Sequence, residues 1–272
     1  MTVKDILKQA TEDLPKSSTP RLDALILLEK ASRKNRAQLL ADQDKDIEDI
    51  LDKNQISEFN QLISRRSSFE PVAYILNHKQ FYDLGFFVDE NVMTPRPETE
   101  KLVEYVLDNA PKKARVLDVG TGSGAIAIAI KKNRPDIEVY ASDISDKALE
   151  IAEKNAADNQ VDISFIYSDL LDNITSELDY IIANLPYIPK DYPCSEEVAF
   201  EPGEAIFSDQ DGLDHIFRLL SQIRNNLKVE GLLLLEALPE QRQSITKVAI
   251  KQRLEAVYSD NFILVFKVLS NL

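Results

Sequence analysis

The chain has 272 residues, more than the roughly 150 of a standard domain, which leaves room for one large domain or a standard one with a smaller companion. A hydrophobic fraction of 44% and a charged fraction of 29% exclude a disordered or fibrous chain, and a net charge of -14 argues against a surface built to grip phosphate backbones, so no direct nucleic-acid binding is expected. One cysteine (Cys194) and two histidines (His78, His215) leave no set for a disulfide or a metal, and without a long apolar run or a signal-peptide block the chain is expected to be cytoplasmic, off the membrane.

Through residues 3–68 apolar side chains recur three and four apart, as in Ile6, Leu7, Ala10 and in Ile56, Phe59, Leu62, Ile63. This is helical spacing, and with no glycine in the stretch it predicts a bundle of four or five short helices. The acidic run Asp42, Asp44, Asp46, Glu48, Asp49, Asp52 reads as one solvated helix face. Aromatic and β-branched residues then dominate 71–75 and 81–88 around the turn-like Asn77-His78, which predicts a β-hairpin linker. Beyond Pro95-Arg96-Pro97 an amphipathic helix is expected over 98–109. Strands at 115–119, 137–142, 163–167, 179–183 and 232–235 then alternate with helices at 125–133, 146–158, 213–227 and 240–253. Such alternation implies an α/β, doubly wound, mostly parallel sheet. Strands near 254–258 and 262–268 are too closely connected for a parallel crossover and should close the sheet as an antiparallel hairpin. The expected domains are 1–70 (small all-α bundle), 71–95 (β-hairpin linker) and 96–272 (α/β domain).

Of seven glycines, three fall in Gly120-Thr121-Gly122-Ser123-Gly124, between a strand and a helix. Glycine there permits positive φ and close approach of a ligand to the main chain, at the carboxyl edge of the sheet where open α/β folds bind ligands. By pattern alone the loop also fits a dinucleotide fingerprint, and a purely structural turn is the plain alternative. Asp143, at the end of the second strand of the alternation, is placed to accept a ribose diol, with helix capping as the alternative. Asp169, followed by Leu170, would reach the adenine end of the same ligand, again with capping as the competing role. After the strand at 179–183 comes Asn184-Leu185-Pro186-Tyr187. A hydride-transferring enzyme has no need of an amide followed by proline and tyrosine at this point. An enzyme that methylates a planar NH2 group does: the Asn184 amide oxygen and a neighbouring main-chain carbonyl accept its two hydrogens while Tyr187 lies against its plane.

The sequence resembles the release-factor glutamine methyltransferases (HemK/PrmC family) over nearly its whole length. The resemblance rests on Arg65-Arg66 with Glu70 to Ile75, on Pro95 to Glu100, on Asp118 to Ile130, on Asn184 to Ile188, and on Glu201-Pro202, Ala205 and Asp211 to Leu213. It implies a class I methyltransferase domain preceded by a helical N-terminal domain and hairpin linker, and S-adenosyl-L-methionine as methyl donor. It also implies N5-methylation of the glutamine in the Gly-Gly-Gln motif of peptide chain release factors, the partners it predicts. Gly120, Thr121, Gly122, Ser123, Gly124, Asp143, Asp169, Leu170 and Asn184 would hold the donor; Asn184, Pro186 and Tyr187 would be catalytic, with Leu185 joining them in substrate binding. Leu185 stands where the family has a first proline, Asn77 and Asp83 where glycine is expected, and Leu238 replaces a late glycine. Pro186 still biases residue 185 to an extended backbone, and Asn and Asp are the residues that best tolerate left-handed backbone.

Two other functions compete with that one. An exocyclic-amine methyltransferase acting on N6 of adenine would use the same amide logic, although residues 91–272 carry 19 basic and 30 acidic side chains, a net -11. An inactive scaffold of the same fold is suggested by Leu185 and Leu238. The bundle, with 13 basic and 16 acidic side chains up to residue 90, is the expected docking element for the protein substrate.

Overall fold

The computed structural model describes residues 1–270, which divide into two compact units: Met1–His78 together with Ser195–Phe200, and Lys79–Cys194 together with Glu201 onward. In the first unit α1 (Val3–Glu12), α2 (Pro20–Ser32), α3 (Arg36–Ala41), α4 (Ile47–Ile50), α5 (Lys53–Ser67) and α6 (Val72–Leu76) enclose a core that includes Leu27, Leu28, Leu39 and Phe59. Local chemistry explains where the helices start. Thr2 with Asp5, Asn35 with Gln38, and Asp52 with Gln55 form reciprocal capping boxes at α1, α3 and α5. The acidic run is therefore not a single helix face: Asp46 caps α4, Asp52 caps α5, and Asp42 pairs with Lys34 and Lys45. Residues 72–76 are also helical rather than extended, since Pro71 presets the entry to the turn and Asn77, at φ 49°, closes it in the left-handed region. Five residues are too few for periodicity to separate helix from strand.

In the second unit β1 (Lys79–Phe81) and β2 (Leu84–Phe86) form the hairpin, joined by Tyr82 and Asp83 at φ 49° and 59°. Two consecutive left-handed residues are what a right-twisted two-residue hairpin demands. The linker turn thus lies at Tyr82-Asp83, not at Asn77-His78, and both Asn77 and Asp83 adopt the left-handed backbone expected of them.

A 3-10 turn at Pro97–Thr99 leads into α7 (Glu100–Asn109), after which come β3 (Arg115–Val119), α8 (Ala125–Asn133), β4 (Glu138–Asp143), α9 (Asp146–Asp158), β5 (Ser164–Tyr167) and β6 (Leu178–Ala183). Short segments follow: β7 (Ile188–Pro189), α10 (Gly203–Ile206), β8 (Phe207–Ser208) and α11 (Asp209–Gly212). The chain ends through α12 (Asp214–Gln222), β9 (Leu227–Glu236), α13 (Arg242–Lys251), β10 (Leu254–Asp260) and β11 (Ile263–Val268). The main sheet has the order β10-β11-β9-β6-β3-β4-β5, with β9 through β5 parallel and β10 and β11 antiparallel, as the closing hairpin required. β9 begins five residues before the predicted strand and the preceding helix ends correspondingly early. Charged Lys228 and Glu230, on either side of Val229, hide that extension, and Gly231 marks a tight passage where an added Cβ would lie 2.8 Å from the Lys228 carbonyl.

Strand order reverses at β3: β4 and β5 lie on one side, β6 and β9 on the other. Val119 pairs with Ala183 in register, so the glycine loop and Asn184 leave the sheet side by side at its carboxyl edge. This is the switch point where parallel α/β sheets bind ligands.

Candidate functional site

A cavity of about 210 Å³ opens at that edge, and Gly120, Thr121, Gly122, Ser123, Asp143, Asp169, Leu170, Asn184, Leu185 and Pro186 all line it. Residues dispersed over 67 positions of sequence thus meet because four parallel strands, β3 to β6, end together. Gly120, Gly122 and Gly124 have φ of 70°, 54° and 80°, and an added Cβ at Gly122 would meet nothing within 4 Å. Gly124 has a different place: it is the N-cap of α8 and packs against Ile128 and Ala152, away from the cavity.

Asp143 braces the cavity wall. Its Oδ2 accepts from the Gly122 amide at 2.9 Å and its Oδ1 from the Ser145 amide at 2.9 Å. Ser145, not Asp143, caps α9. Each Asp143 oxygen keeps a lone pair for a further donor, and burial raises the carboxyl above its ordinary value while the backbone donors pull it down. Below the loop, Asp118 is fully buried: Oδ2 accepts from the Thr121 hydroxyl at 2.6 Å and the Ala127 amide at 3.3 Å, and Oδ1 has no partner. Burial pushes it up to about 7. Asp169 is paired with Arg218 at 2.6 Å, so the carboxylate expected at the adenine end carries its own counter-ion.

The segment after β6 is held from several sides. The Asn184 Nδ2 donates to the Thr99 hydroxyl at 3.1 Å. Leu185 is buried and packs on the loop so closely that its Cδ2 would be 3.0 Å from a Cβ at Gly120. The residue in place of the family proline therefore seals the floor beneath the loop. Tyr187 does not line the cavity; its hydroxyl donates to Glu236 Oε1 at 2.8 Å, and burial together with that carboxylate raises its pKa. The Tyr187 carbonyl accepts from Gln241 Nε2 at 2.7 Å and would lie 2.0 Å from a Cβ at Gly212, whose φ is +81°. Gly212 is thus required by a close backbone crossing. Leu238 has φ -65°, ordinary for any residue, its side chain is buried, and its amide donates to Gln241 at 2.9 Å, so the loss of a late glycine costs no strain here.

Sequence reasoning assigned no role to Thr99, Glu236, Gln241 or Arg218. Glu236 has a visible signal, a carboxylate closing the apolar strand Leu232 to Leu235. Thr99 has none, because only the tertiary fold carries it to Asn184. Among the described residues no group of three or more histidine, cysteine or carboxylate side chains is placed to hold a metal, and no helix is long and apolar enough to cross a membrane.

Both units of the chain are similar to known proteins. Residues 97–196 match the family described as Methyltransferase small domain, and residues 5–76 match the PrmC N-terminal domain. The chain is 38% identical to the release factor glutamine methyltransferase of Coxiella burnetii, over 90% of this chain and 89% of that one. It is 42% identical to the protein of the same name from Neisseria gonorrhoeae, over 81% of each. Among solved structures, a methyltransferase from Pyrococcus furiosus superposes with a TM-score of 0.56 at 16% identity, covering 76% of this chain and 99% of the other. A 16S rRNA methyltransferase of T. thermophilus in complex with AdoMet and guanosine gives 0.55 at 14% identity, covering 71% and 50%. These two share the fold. By sequence, fold and site together, the chain belongs to the release factor glutamine methyltransferase family.

Proposed function

We infer that this chain methylates the side-chain nitrogen (N5) of the glutamine in the Gly-Gly-Gln motif of peptide chain release factors, using S-adenosyl-L-methionine. The observation that carries this reading is Asn184: it leaves the sheet beside the glycine loop, lines the cavity, and gives its Nδ2 to Thr99, which leaves its Oδ1 as an acceptor for a substrate NH2 group. Supporting it are the curated relatives that bear the name release factor glutamine methyltransferase.

The cavity suits the donor. Its loop side is main chain without side chains at Gly120 and Gly122, Asp143 retains acceptor capacity toward a ribose diol, and Asp169 with Leu170 borders the far end. Bound there, S-adenosylmethionine supplies the methyl group as a sulfonium electrophile. A neutral amide nitrogen is a weak nucleophile, so the chain's contribution is orientation and charge stabilisation. Asn184 Oδ1 and the carbonyl of Leu185 accept the two amide hydrogens, holding the nitrogen lone pair toward the methyl carbon. As the methyl arrives, positive charge develops on that nitrogen, the same two acceptors bind its hydrogens more strongly, and loss of one of those hydrogens as a proton to solvent leaves the neutral N-methyl amide. Pro186 keeps the Leu185 carbonyl in an extended register. The helical unit, which contains no such acceptor set, is the proposed docking element for the body of the factor.

The test is incubation of the full chain with purified release factors and labelled donor, followed by mass mapping of the modified residue. Label on the Gly-Gly-Gln glutamine supports the reading; label only on duplex DNA, or binding of donor without transfer to any factor, overturns it. Asn184→Ala is expected to lower turnover at least about 100-fold, as removal of a group that stabilises developing charge does, with little change in donor affinity.

A further inference from the structure

We propose that Asn155 is a positioning residue for the methyl donor, which ties the glycine loop to the linker stretch that also lines the cavity. This rests on the donor-binding reading above and names a group outside the set that would touch the donor, since Asn155 does not line the cavity. It lies on α9 and is 1% exposed. Its Nδ2 donates to the Ser123 carbonyl at 2.9 Å and to the Phe87 carbonyl at 3.0 Å, while its Oδ1 accepts from the Phe87 amide at 2.7 Å. Ser123 belongs to the glycine loop and lines the cavity. Phe87 follows β2 and leads into Asn91, Val92 and Met93, which line the same cavity together with Pro95. The chain between is folded tightly: Asp89 Oδ1 accepts from the Asn91 amide and from its side chain at 2.9 Å each, and the Val92 amide donates to the Asp89 carbonyl at 3.2 Å. Buried Glu201 anchors the far end of the stretch, accepting from the Thr94 amide at 3.3 Å and pairing with Arg96.

A loop with three positive-φ glycines is hard to keep in one conformation, because glycine loses more freedom on ordering than any other residue. Here the loop is held from several sides. The Gly120 and Thr121 amides donate to the Ser142 carbonyl at 2.8 and 2.9 Å, Asp143 takes the Gly122 amide, and Asn155 takes the Ser123 carbonyl. α9 is close enough for this, since a Cβ at Gly124 would lie 3.1 Å from the Cβ of Ala152, one turn before Asn155. Of these braces, Asn155 alone also reaches the linker. Its chemistry suits the task. A primary amide offers two donors and an acceptor, and the flipped amide would set donors against the Phe87 amide and an oxygen against two carbonyls, so its orientation is unique. A buried amide is costly unless it is bonded, and an apolar side chain would fill the space as well. What an apolar side chain cannot do is tie together two main-chain segments that each border the donor. With that tie made, the donor enters a cavity whose loop and linker are already in register, and its binding does not carry the cost of ordering them.

The experiment uses the full chain and three variants: Asn155→Ala, Asn155→Asp and Asn226→Ala. Affinity for S-adenosylmethionine is measured by calorimetry well below the melting temperature, and kcat on a purified release factor at saturating donor. Asn155→Ala is expected to weaken donor affinity about 10- to 100-fold, because one or two main-chain residues must then be ordered by the donor itself. Its kcat at saturating donor should stay near that of the unaltered chain, since Asn184 is untouched. Asn155→Asp keeps the acceptor for the Phe87 amide but sets a carboxylate against two carbonyls, and should weaken affinity at least as much. Asn226 is the control: its buried amide donates to the Ile174 carbonyl, away from the cavity, so Asn226→Ala should lower the melting temperature and leave donor affinity unchanged. Unchanged affinity in Asn155→Ala, or an equal loss in Asn226→Ala, would overturn the inference. Should Asn155→Ala fail to fold, unchanged affinity in Asn155→Asp overturns it. Hydrogen exchange on the unaltered chain needs no variant: the donor should slow exchange across residues 87–92 as well as in the glycine loop, and more than in β10 and β11, whereas slowing confined to the loop overturns the tie. Failure of the unaltered chain to bind S-adenosylmethionine is a separate result, which overturns the donor reading on which the inference rests.

Discussion

Asp143 has two occupations at once: it ties the Gly122 amide to the Ser145 amide, and it borders the cavity. The two predict different variants. As a ligand for a ribose diol it makes two charge-assisted hydrogen bonds, so Asp143→Ala is expected to weaken donor affinity by about one to three powers of ten. Asp143→Asn should fall between, because an amide offers one acceptor oxygen and no charge. As a brace alone, Asp143→Ala would lower the melting temperature and leave affinity nearly unchanged. Calorimetry and thermal melting of both variants separate these outcomes. Leu185 teaches a related point at the same scale. A departure from the family's proline is absorbed by packing against Gly120, a compensation that depends on what lies beneath the residue.

Within the helical unit, the last turn of α5 carries Arg66, whose buried guanidinium meets Asp23 of α2 at 2.7 Å and Glu197 at 2.6 Å, with Ser17 and the Glu70 carbonyl completing its contacts. The short 195–200 segment belongs to this unit through those contacts, far as it is in sequence from the helices. The two carboxylates are not equivalent. Asp23 is buried and Glu197 is about a third exposed, its side chain at 36%. Arg66→Ala strands Asp23 without its cation and is expected to destabilise the unit by about 3–5 kcal/mol, softened by the Ser17 and Thr19 hydroxyls that also donate to Asp23. Glu197→Gln loses only a solvent-screened pair and should cost about 1 kcal/mol or less. Thermal or urea unfolding of the two variants checks the ordering, and equal losses would contradict it.

Across the molecule, stability depends on pH through carboxyls of opposite behaviour. Asp118 lies at about 7 when folded, above its ordinary 3.8. A raised carboxyl favours folding fully below about pH 4, and that contribution is lost as pH rises through about 7. Asp136, held down at about 2 by Arg134, acts the other way: its contribution is present above about pH 4 and lost as pH falls through about 2. Asp118→Asn keeps an acceptor for Thr121 but cannot ionise. Relative to this variant, the unaltered chain should lose stability between pH 5 and pH 8, measured by urea unfolding at both. A difference that does not vary with pH would show that Asp118 does not titrate in that range.

Short-range physics is what a sequence displays, and the elements that depend on it match the expectation closely. β3, α8 and α9 begin and end at the predicted residues because their apolar periods are long and their ends carry glycine, capping serine or charge. The cavity-lining residues of the loop, Asp143 and Asn184 were legible for the same reason: each sits at a strand end, and a parallel sheet gathers strand ends at one edge. Helix Val72–Leu76 and the start of β9 were not legible, since five residues show no period and the charged Lys228 and Glu230 mask a strand. Tertiary structure alone decided that Thr99 reaches Asn184, that Glu236 lies beneath Tyr187, and that 195–200 joins the helices. Those contacts join residues 49 to 131 positions apart. Nothing in either local stretch is altered by the partner it will meet, so the pairing is specified by the packing of whole elements and not by any pattern along the chain.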